Sequence, residues 1–149
     1  MDSLLAPECI QLGVALSSKE QAFHEIARLA QARHKLQASE VVSRLWRRER
    51  RQSTALGWGL ALPHAHVLGL GRPVAVFLRA RDPLPFDAPD GFPVRHILAL
   101  LVPKPATTVH FDLLTRCRDL CTSQTFRRSL DDCQDVATIW RLFERSVVK

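Results

Sequence analysis

Apolar residues recur three or four positions apart near the start of the chain, which is the spacing that places them on one face of a helix. A first helix is predicted over residues 18–32, where Ser17 and Glu20 form a capping-box pattern that marks a helix start. A second is predicted over residues 40–51, with Ser39 as its N-cap. The apolar positions of the two helices are Ala22, Phe23, Ile26, Leu29, Val41, Val42, Leu45 and Trp46.

Three other stretches are short and apolar on both sides of the backbone, which is typical of buried strands. We expect strands at residues 9–12, at residues 74–79 (VAVFLR) and at residues 95–102 (RHILALLV). Pro103 ends the third, because proline has no backbone N–H to offer a neighbouring strand. The third run therefore has the character of a central strand.

Helical spacing returns in the last third of the chain. Thr107 or Thr108 can cap a helix that continues to residue 122, and further helices are expected near residues 124–130 and 135–147. Strands that alternate with helices indicate an α/β fold. We therefore predict that residues 1–149 form one domain, with a mixed sheet of four or five strands and helices on both faces.

Composition and length agree with that prediction. The chain has 149 residues, of which 46% are hydrophobic and 24% charged, as in ordinary globular proteins. No apolar run approaches the length of a membrane span, and the N-terminus lacks the pattern of a secretory signal. We expect a cytoplasmic protein whose four cysteines are reduced thiols.

The formal net charge of +6 attracts anionic partners. Nucleic acid is one candidate, a solvated surface without a partner is another, and a docking surface for an acidic or phosphorylated protein is a third. The arginines cluster at residues 47–51, but no aromatic and basic RNA-binding motif accompanies them. We therefore expect no specific nucleic-acid binding.

The stretch STALGWGLALPHAHV, residues 53–67, carries the strongest candidate chemistry. Its glycines Gly57 and Gly59 allow backbone to approach a ligand closely, and Pro63 ends regular strand pairing. His64 follows at once and would stand at a strand end near the surface. Neutral imidazole is a good nucleophile, so His64 is the candidate nucleophile of this stretch.

Other polar residues are candidates to assist His64. Arg48 either complements the dipole at the end of its helix or clamps a phosphate. His110 opens a predicted helix, a position that suits an anion. His66 would share the strand face of His64, and His64 and His66 could bind zinc together with His96 or His110. No carboxylate or thiolate joins that set, so we expect no native metal site. A histidine inside an apolar run is more often a hydrogen-bonded core residue than a metal ligand, and we expect this of His96.

Three motifs in the right order resemble one known family. The stretch around His64 is similar to the phosphorylation-site signature of phosphotransferase-system enzyme IIA domains of the fructose–mannitol type, including the nitrogen-regulatory members. The segment PLPFDAPDGFPVRHILALLVP, residues 83–103, and HFDLL from His110 resemble two further family patterns. One departure is Ala55, which stands where the family usually has glycine. The residues matching the first signature are Arg48, Glu49, Ser53, Thr54, Gly57, Gly59, Pro63 and His64.

The resemblance implies a phosphohistidine phosphocarrier and regulatory protein, most like the nitrogen-regulatory branch. His64 would accept a phosphoryl group from an HPr-type carrier protein, without a cofactor, in an enzymatic protein-to-protein transfer. The protein would then bind regulatory targets according to its phosphorylation state. One alternative is a sugar-specific IIA component that passes phosphate to a IIB domain, and another is a non-enzymatic module that binds nucleic acid or metal. The residues expected to support the phosphoryl group are His110, Arg48, Ser53, Gly57 and Gly59, with His66 at the rim.

Overall fold

A computed structural model describes residues 4–147. Strands and helices alternate along the chain, as the apolar patterns predict, although several elements are longer than expected. In chain order the elements are β1 (Leu5–Val14), α1 (Lys19–His34), α2 (Ala38–Glu49), β2 (Ala55–Gly57), β3 (Leu60–Ala61), β4 (His64–Val67), β5 (Val74–Leu84), β6 (Val94–Pro103), α3 (Thr108–Thr122), α4 (Gln124–Asp132) and α5 (Val136–Val147).

The strands form one mixed sheet with the order β1-β5-β6-β3-β2, and β4 also pairs with β6. β1 runs parallel to β5, β5 runs antiparallel to β6, and β3 and β4 both run parallel to β6. The described residues therefore contain six strands where the pattern predicts four or five. The additional strands are short and lie in residues 55–67, where glycine and proline obscure the period of two that identifies a strand.

Helices cover both faces of this sheet. The first seven residues of β5 are buried without interruption, and because side chains alternate along a strand, both of its faces must be covered. On one face the ring of Phe77 lies 5.4 Å from that of Phe143 in α5. α1 packs against β5 as well, and its Phe23 contacts Trp46 of α2 with ring centroids 4.9 Å apart. The predicted α/β architecture is confirmed.

Two helix starts differ from the capping predictions. The N-cap of α1 is Ser18, whose hydroxyl accepts the N–H of Gln21, so the predicted pairing of Ser17 with Glu20 is off by one residue. The N-cap of α2 is Gln37, whose side chain makes no capping bond, and Ser39 lies inside the first turn. Tertiary packing of its apolar stripe compensates for the missing cap, because Val41 and Leu45 are both buried.

His96 is a hydrogen-bonded core histidine, as its apolar surroundings predict. Its Nε2 atom accepts the Nε–H of the buried Arg79 at 2.8 Å. Arg79 also donates to the backbone carbonyls of Leu130 and Cys133, so it ties the connection between α4 and α5 to the sheet. Burial, followed by the nearby positive charges of Arg79 and Arg95, lowers the pKa of His96 to about 3.

Two further observations concern the chain as a whole. Within residues 4–147, no helix combines the length and the apolar character that crossing a membrane requires. The four cysteines are free thiols, and burial raises the pKa values of Cys9 and Cys117 to about 11 and that of Cys121 to about 12.

Candidate functional site

A pocket of about 400 Å³ opens where the end of α2, strand β4, the end of β6 and the start of α3 meet. We call it the His64 pocket. His64 is the first residue of β4, directly after Pro63, and is paired with Leu100 of β6. The residues that line the pocket are Arg44, Arg47, Arg48, Arg51, His64, Ala65, His66, Leu100, Val102, Lys104, His110, Phe111 and Leu114.

Hydrogen bonds define which nitrogen of His64 is available. Nδ1 lies 2.9 Å from the carbonyl oxygen of Leu62, and since a carbonyl can only accept, Nδ1 carries the proton. Nε2 accepts the Nε–H of Arg48 at 3.2 Å and therefore has its lone pair directed toward the pocket. Burial lowers the pKa of His64, the Leu62 bond raises it, and Arg48, Arg118 and His66 lower it further. The ring is thus held neutral with a nucleophilic Nε2.

Arg48 reaches His64 from the last turn of α2. Besides its bond to His64, its Nη1 donates to the carbonyl oxygen of Gln52 at 2.7 Å. The guanidinium is therefore held at two points, one on the histidine and one on the loop that follows the helix. This arrangement favours a role for Arg48 in binding a phosphate over a role that only complements the dipole of its helix, although a position at a helix end suits both roles.

Glu49 holds that loop in place from within the protein. Its buried carboxylate accepts both the hydroxyl and the backbone N–H of Thr54, at 2.6 and 3.0 Å. Lys19 of α1 lies 3.0 Å from the same carboxylate and also donates to Asp87, which belongs to residues 86–88 (the FDA segment). The residues between α2 and β2 are thereby fixed, and with them the carbonyl of Gln52 that holds Arg48. Sequence reasoning did not identify this role, although Glu49 stands next to Arg48 in the motif.

His110 and His66 approach His64 from two elements. The backbone N–H of Thr107, the N-cap of α3, donates to Nδ1 of His110 at 3.1 Å. A neutral His110 that accepts at Nδ1 carries its proton on Nε2, which remains free to donate. His66 shares the strand face of His64, and its ring meets that of Phe111 edge-on at 6.2 Å. Partial burial lowers the pKa of His66, as do His110, Lys104 and Arg44. The structure therefore brings together four of the predicted site residues.

The other three predicted site residues lie elsewhere, which corrects the expected glycine-rich phosphate loop. Gly57 and Gly59 flank Trp58 in the turn between β2 and β3, all three with positive φ. They are near Asp90, whose carboxylate accepts the N–H of Trp58 at 3.0 Å and would lie 3.3 Å from a Cβ at position 57. Leu60 of β3 pairs with His96 of β6, whereas His64 pairs with Leu100. These two positions on β6 are four residues apart, which separates the glycine turn from His64 by about 13 Å along the strand.

Ser53 also has another role. Its hydroxyl donates to the carbonyl oxygen of Phe86 at 2.7 Å, so it joins the FDA segment to the loop after α2. Ala55, where the family pattern has glycine, belongs to β2 and does not have a positive φ, so its Cβ is accommodated without strain.

Sequence reasoning noted the arginine cluster at residues 47–51 but did not connect most of it with His64, and it missed Arg44 and Lys104. Arg44 and Arg47 join Arg48 there because positions three and four apart share one face of a helix, and Arg51 follows in the turn after α2. Lys104 joins them from the end of β6. The spacing of the arginines was the signal that could have identified them. A neutral imidazole nitrogen surrounded by fixed cations can attack an electrophilic phosphorus and stabilise the charge on its oxygens.

Comparisons with known proteins show what this chain is similar to. The family model described as "Phosphoenolpyruvate-dependent sugar phosphotransferase system, EIIA 2" matches residues 3–146. The nitrogen regulatory protein homolog of Haemophilus influenzae is 32% identical over 145 residues, covering 95% of this chain and 88% of that protein. The crystal structure of the nitrogen regulatory protein IIA-Ntr from Neisseria meningitidis is 33% identical with a TM-score of 0.87, covering 93% of this chain and 95% of that one. The IIA mannitol structure from Escherichia coli, 18% identical, shares the fold with a TM-score of 0.75 over 92% of this chain and 96% of its own.

Proposed function

Because the chain belongs to the EIIA 2 family of the phosphoenolpyruvate-dependent sugar phosphotransferase system, we propose that His64 accepts a phosphoryl group from a phosphorylated HPr-type carrier protein. The chain is then a phosphohistidine phosphocarrier and regulatory protein. The observation that carries this proposal is the state of His64. Its Nδ1–H is bound to the Leu62 carbonyl, while its Nε2 lone pair faces a cationic pocket.

The transfer follows from those hydrogen bonds. Nε2 of His64 attacks the phosphorus, and the bond from phosphorus to the donor nitrogen breaks with its electron pair remaining on the donor. The Nε–H of Arg48 moves from Nε2 to a phosphoryl oxygen, and the Nε2–H of His110 donates to another. The Leu62 carbonyl keeps its bond to Nδ1–H and stabilises the positive character that the ring gains.

Similarity to nitrogen regulatory proteins over most of both chains favours the regulatory branch. In this branch the phosphorylated and unphosphorylated forms would bind regulatory target proteins differently, and we place the protein in the cytoplasm. A sugar-specific component would instead pass the phosphoryl group on to a IIB domain. Rapid loss of the phosphoryl group to an added IIB domain would distinguish that alternative.

The first prediction tests His64 itself. Incubation with phosphoenolpyruvate, enzyme I and an HPr-type carrier should add one acid-labile phosphoryl group, measured by intact mass. His64→Ala should abolish the addition, because the nucleophile is gone. His24→Ala, which removes an exposed histidine on α1, is the matched control and should be phosphorylated normally. Phosphorylation of a folded His64→Ala protein would refute the proposal.

A further inference from the structure

The positive charge of the His64 pocket exceeds what one phosphoryl group requires. Glu40 pairs with Arg44 at 2.7 Å, but no carboxylate lines the pocket itself. In three of the cationic residues, the charged side-chain group makes no hydrogen bond or ion pair with any residue in the described range 4–147. They are Arg47, Arg51 and Lys104.

The charge of a phosphohistidine does not balance this set. A protein-bound phosphoryl group carries about two negative charges near neutral pH. Arg48 offsets one of these charges and a neutral His110 offsets none, so about two of the three unpartnered cations would remain uncompensated after phosphorylation. Like charges that converge on one concave space repel each other and favour a ligand with more than one anionic group.

The size and floor of the pocket indicate that such a ligand also has an organic body. At about 400 Å³ the pocket is in the range of small-molecule sites, about 300–1,000 Å³, and is far larger than a phosphoryl group needs. Apolar side chains line much of it, which suits a ring or a hydrocarbon. These are Ala65, Leu100, Val102, Phe111 and Leu114.

We propose that the unphosphorylated His64 pocket binds a free organic diphosphate, with its phosphates on Arg47, Arg51 and Lys104 and its organic part on the apolar floor. One guanidinium group can bind two oxygens of a phosphate at once. The concave shape of the pocket favours a small molecule over a segment of an acidic protein. The ligand occupies the space that an incoming phosphoryl group needs. It therefore competes with phosphorylation, a consequence that rests on the proposed function, whereas binding itself does not.

The test is calorimetric titration of the full unphosphorylated chain with ADP, AMP, inorganic pyrophosphate and inorganic phosphate, at low salt and without metal ions. ADP should bind at one site, at least about tenfold more tightly than AMP, because the second phosphate adds charged hydrogen bonds. ADP should also bind more tightly than pyrophosphate, which lacks an organic body. Arg47→Gln and Lys104→Gln should each weaken ADP binding at least about tenfold. Arg128→Gln, an exposed arginine on α4 outside the pocket, should not.

Three results would overturn the inference. ADP could bind no better than AMP and pyrophosphate, or Arg128→Gln could weaken it as much as the pocket variants do. An acidic peptide such as polyglutamate could displace ADP at lower concentration, which would assign the pocket to protein carboxylates. Because the titration uses unphosphorylated protein, a failure of His64 phosphorylation would leave these outcomes readable. In the transfer assay, added ADP should slow phosphorylation of the wild type.

Discussion

Two histidines in this chain receive the same hydrogen bond and have different fates. Arg48 donates its Nε–H to Nε2 of His64, and Arg79 donates its Nε–H to Nε2 of His96. Burial lowers the pKa of both rings, so both are neutral at physiological pH. His64 is half-buried and lines a pocket, whereas His96 is enclosed in the core. Access to a phosphorylated donor, rather than the hydrogen-bond pattern, separates the candidate nucleophile from the structural residue.

The prediction at this scale concerns the residues that support the phosphoryl group. Arg48→Ala and His110→Ala should each slow single-turnover transfer from phosphorylated carrier by roughly one to two orders of magnitude, because a charged hydrogen bond is worth about 1.5–3 kcal/mol. Neither variant should abolish transfer, since Nε2 of His64 remains. Unchanged rates in both would show that they are structural, and complete loss in His110→Ala with phosphate mapped to residue 110 would reassign the acceptor.

At the scale of elements, the site depends on how α2 ends. The loop from α2 to β2 is held by Glu49, which binds Thr54 of the same loop and Lys19 of α1. Ser53 joins this loop to the FDA segment, as does Lys19 through Asp87. Two motifs that lie far apart in sequence therefore meet behind Arg48. We therefore expect Glu49 to be a positioning residue that acts on His64 through Arg48.

Glu49→Gln tests that role. It should destabilise the protein by about 1–3 kcal/mol, because Thr54 and the half-buried ammonium of Lys19 both lose the charged partner that the buried carboxylate supplies. It should also slow single-turnover transfer, since the carbonyl of Gln52 that holds Arg48 is no longer fixed. The hydrogen bond from Arg48 to Nε2 of His64 should weaken, which the nitrogen chemical shift of Nε2 would report. Glu25→Gln breaks the exposed pair with Arg28 and is the control. A transfer rate and a His64 shift equal to those of Glu25→Gln would show that Glu49 serves stability alone.

At the scale of the whole molecule, the net charge of +6 is distributed unevenly. A large share of it converges on the His64 pocket, which is lined by three arginines of α2 and by Arg51 in the turn after that helix. A concentrated patch beside a nucleophile suits a protein or small-molecule anion better than an extended nucleic-acid backbone, which is bound along a groove or stripe.

We therefore expect only weak, non-specific binding to DNA or RNA. Its affinity should fall by orders of magnitude between roughly 50 and 200 mM salt, because it arises from displaced counterions. Fluorescence anisotropy with unrelated sequences of equal length would measure this, and all sequences should behave alike. A sequence-specific complex that survives moderate salt would contradict the expectation.

The folded state should also lose stability in mild acid through His96. The unfolded chain takes up a proton at this residue near its ordinary pKa of 6.5, while the folded chain does so only near 3. The unfolded state thus binds more protons, and the stability associated with neutral His96 is complete above pH 6.5 and is lost as the pH falls toward 3. Between pH 8 and 5 the loss should be about 2 kcal/mol.

Urea unfolding at several pH values measures this effect. His96→Gln keeps an acceptor for Arg79 but cannot take up a proton, so its stability should vary less with pH than that of the wild type by about the same amount. His24→Gln replaces an exposed histidine and should retain the wild-type dependence. Parallel pH profiles for wild type and His96→Gln would refute the assignment.

The sequence by itself determined the α/β class and the order of most helices and strands, and it indicated that His64 follows a strand end at Pro63. These follow from local periodicity and from the local effect of Pro63, because both depend only on residues that are close together in the sequence. The core position of His96 also followed, because its apolar surroundings extend along one strand. The motif around His64 further brought Arg48 into consideration, since the two lie 16 positions apart within it.

Only the tertiary structure decided what surrounds each of these residues. Gly57 and Gly59 precede His64 closely in the chain, yet the pairing of β3 with the start of β6 carries them away from the pocket. Lys104 and His110, by contrast, reach the pocket from the end of β6 and the start of α3. Strand register and helix packing place residues in space by contacts between distant segments, and no local pattern records which segments those are.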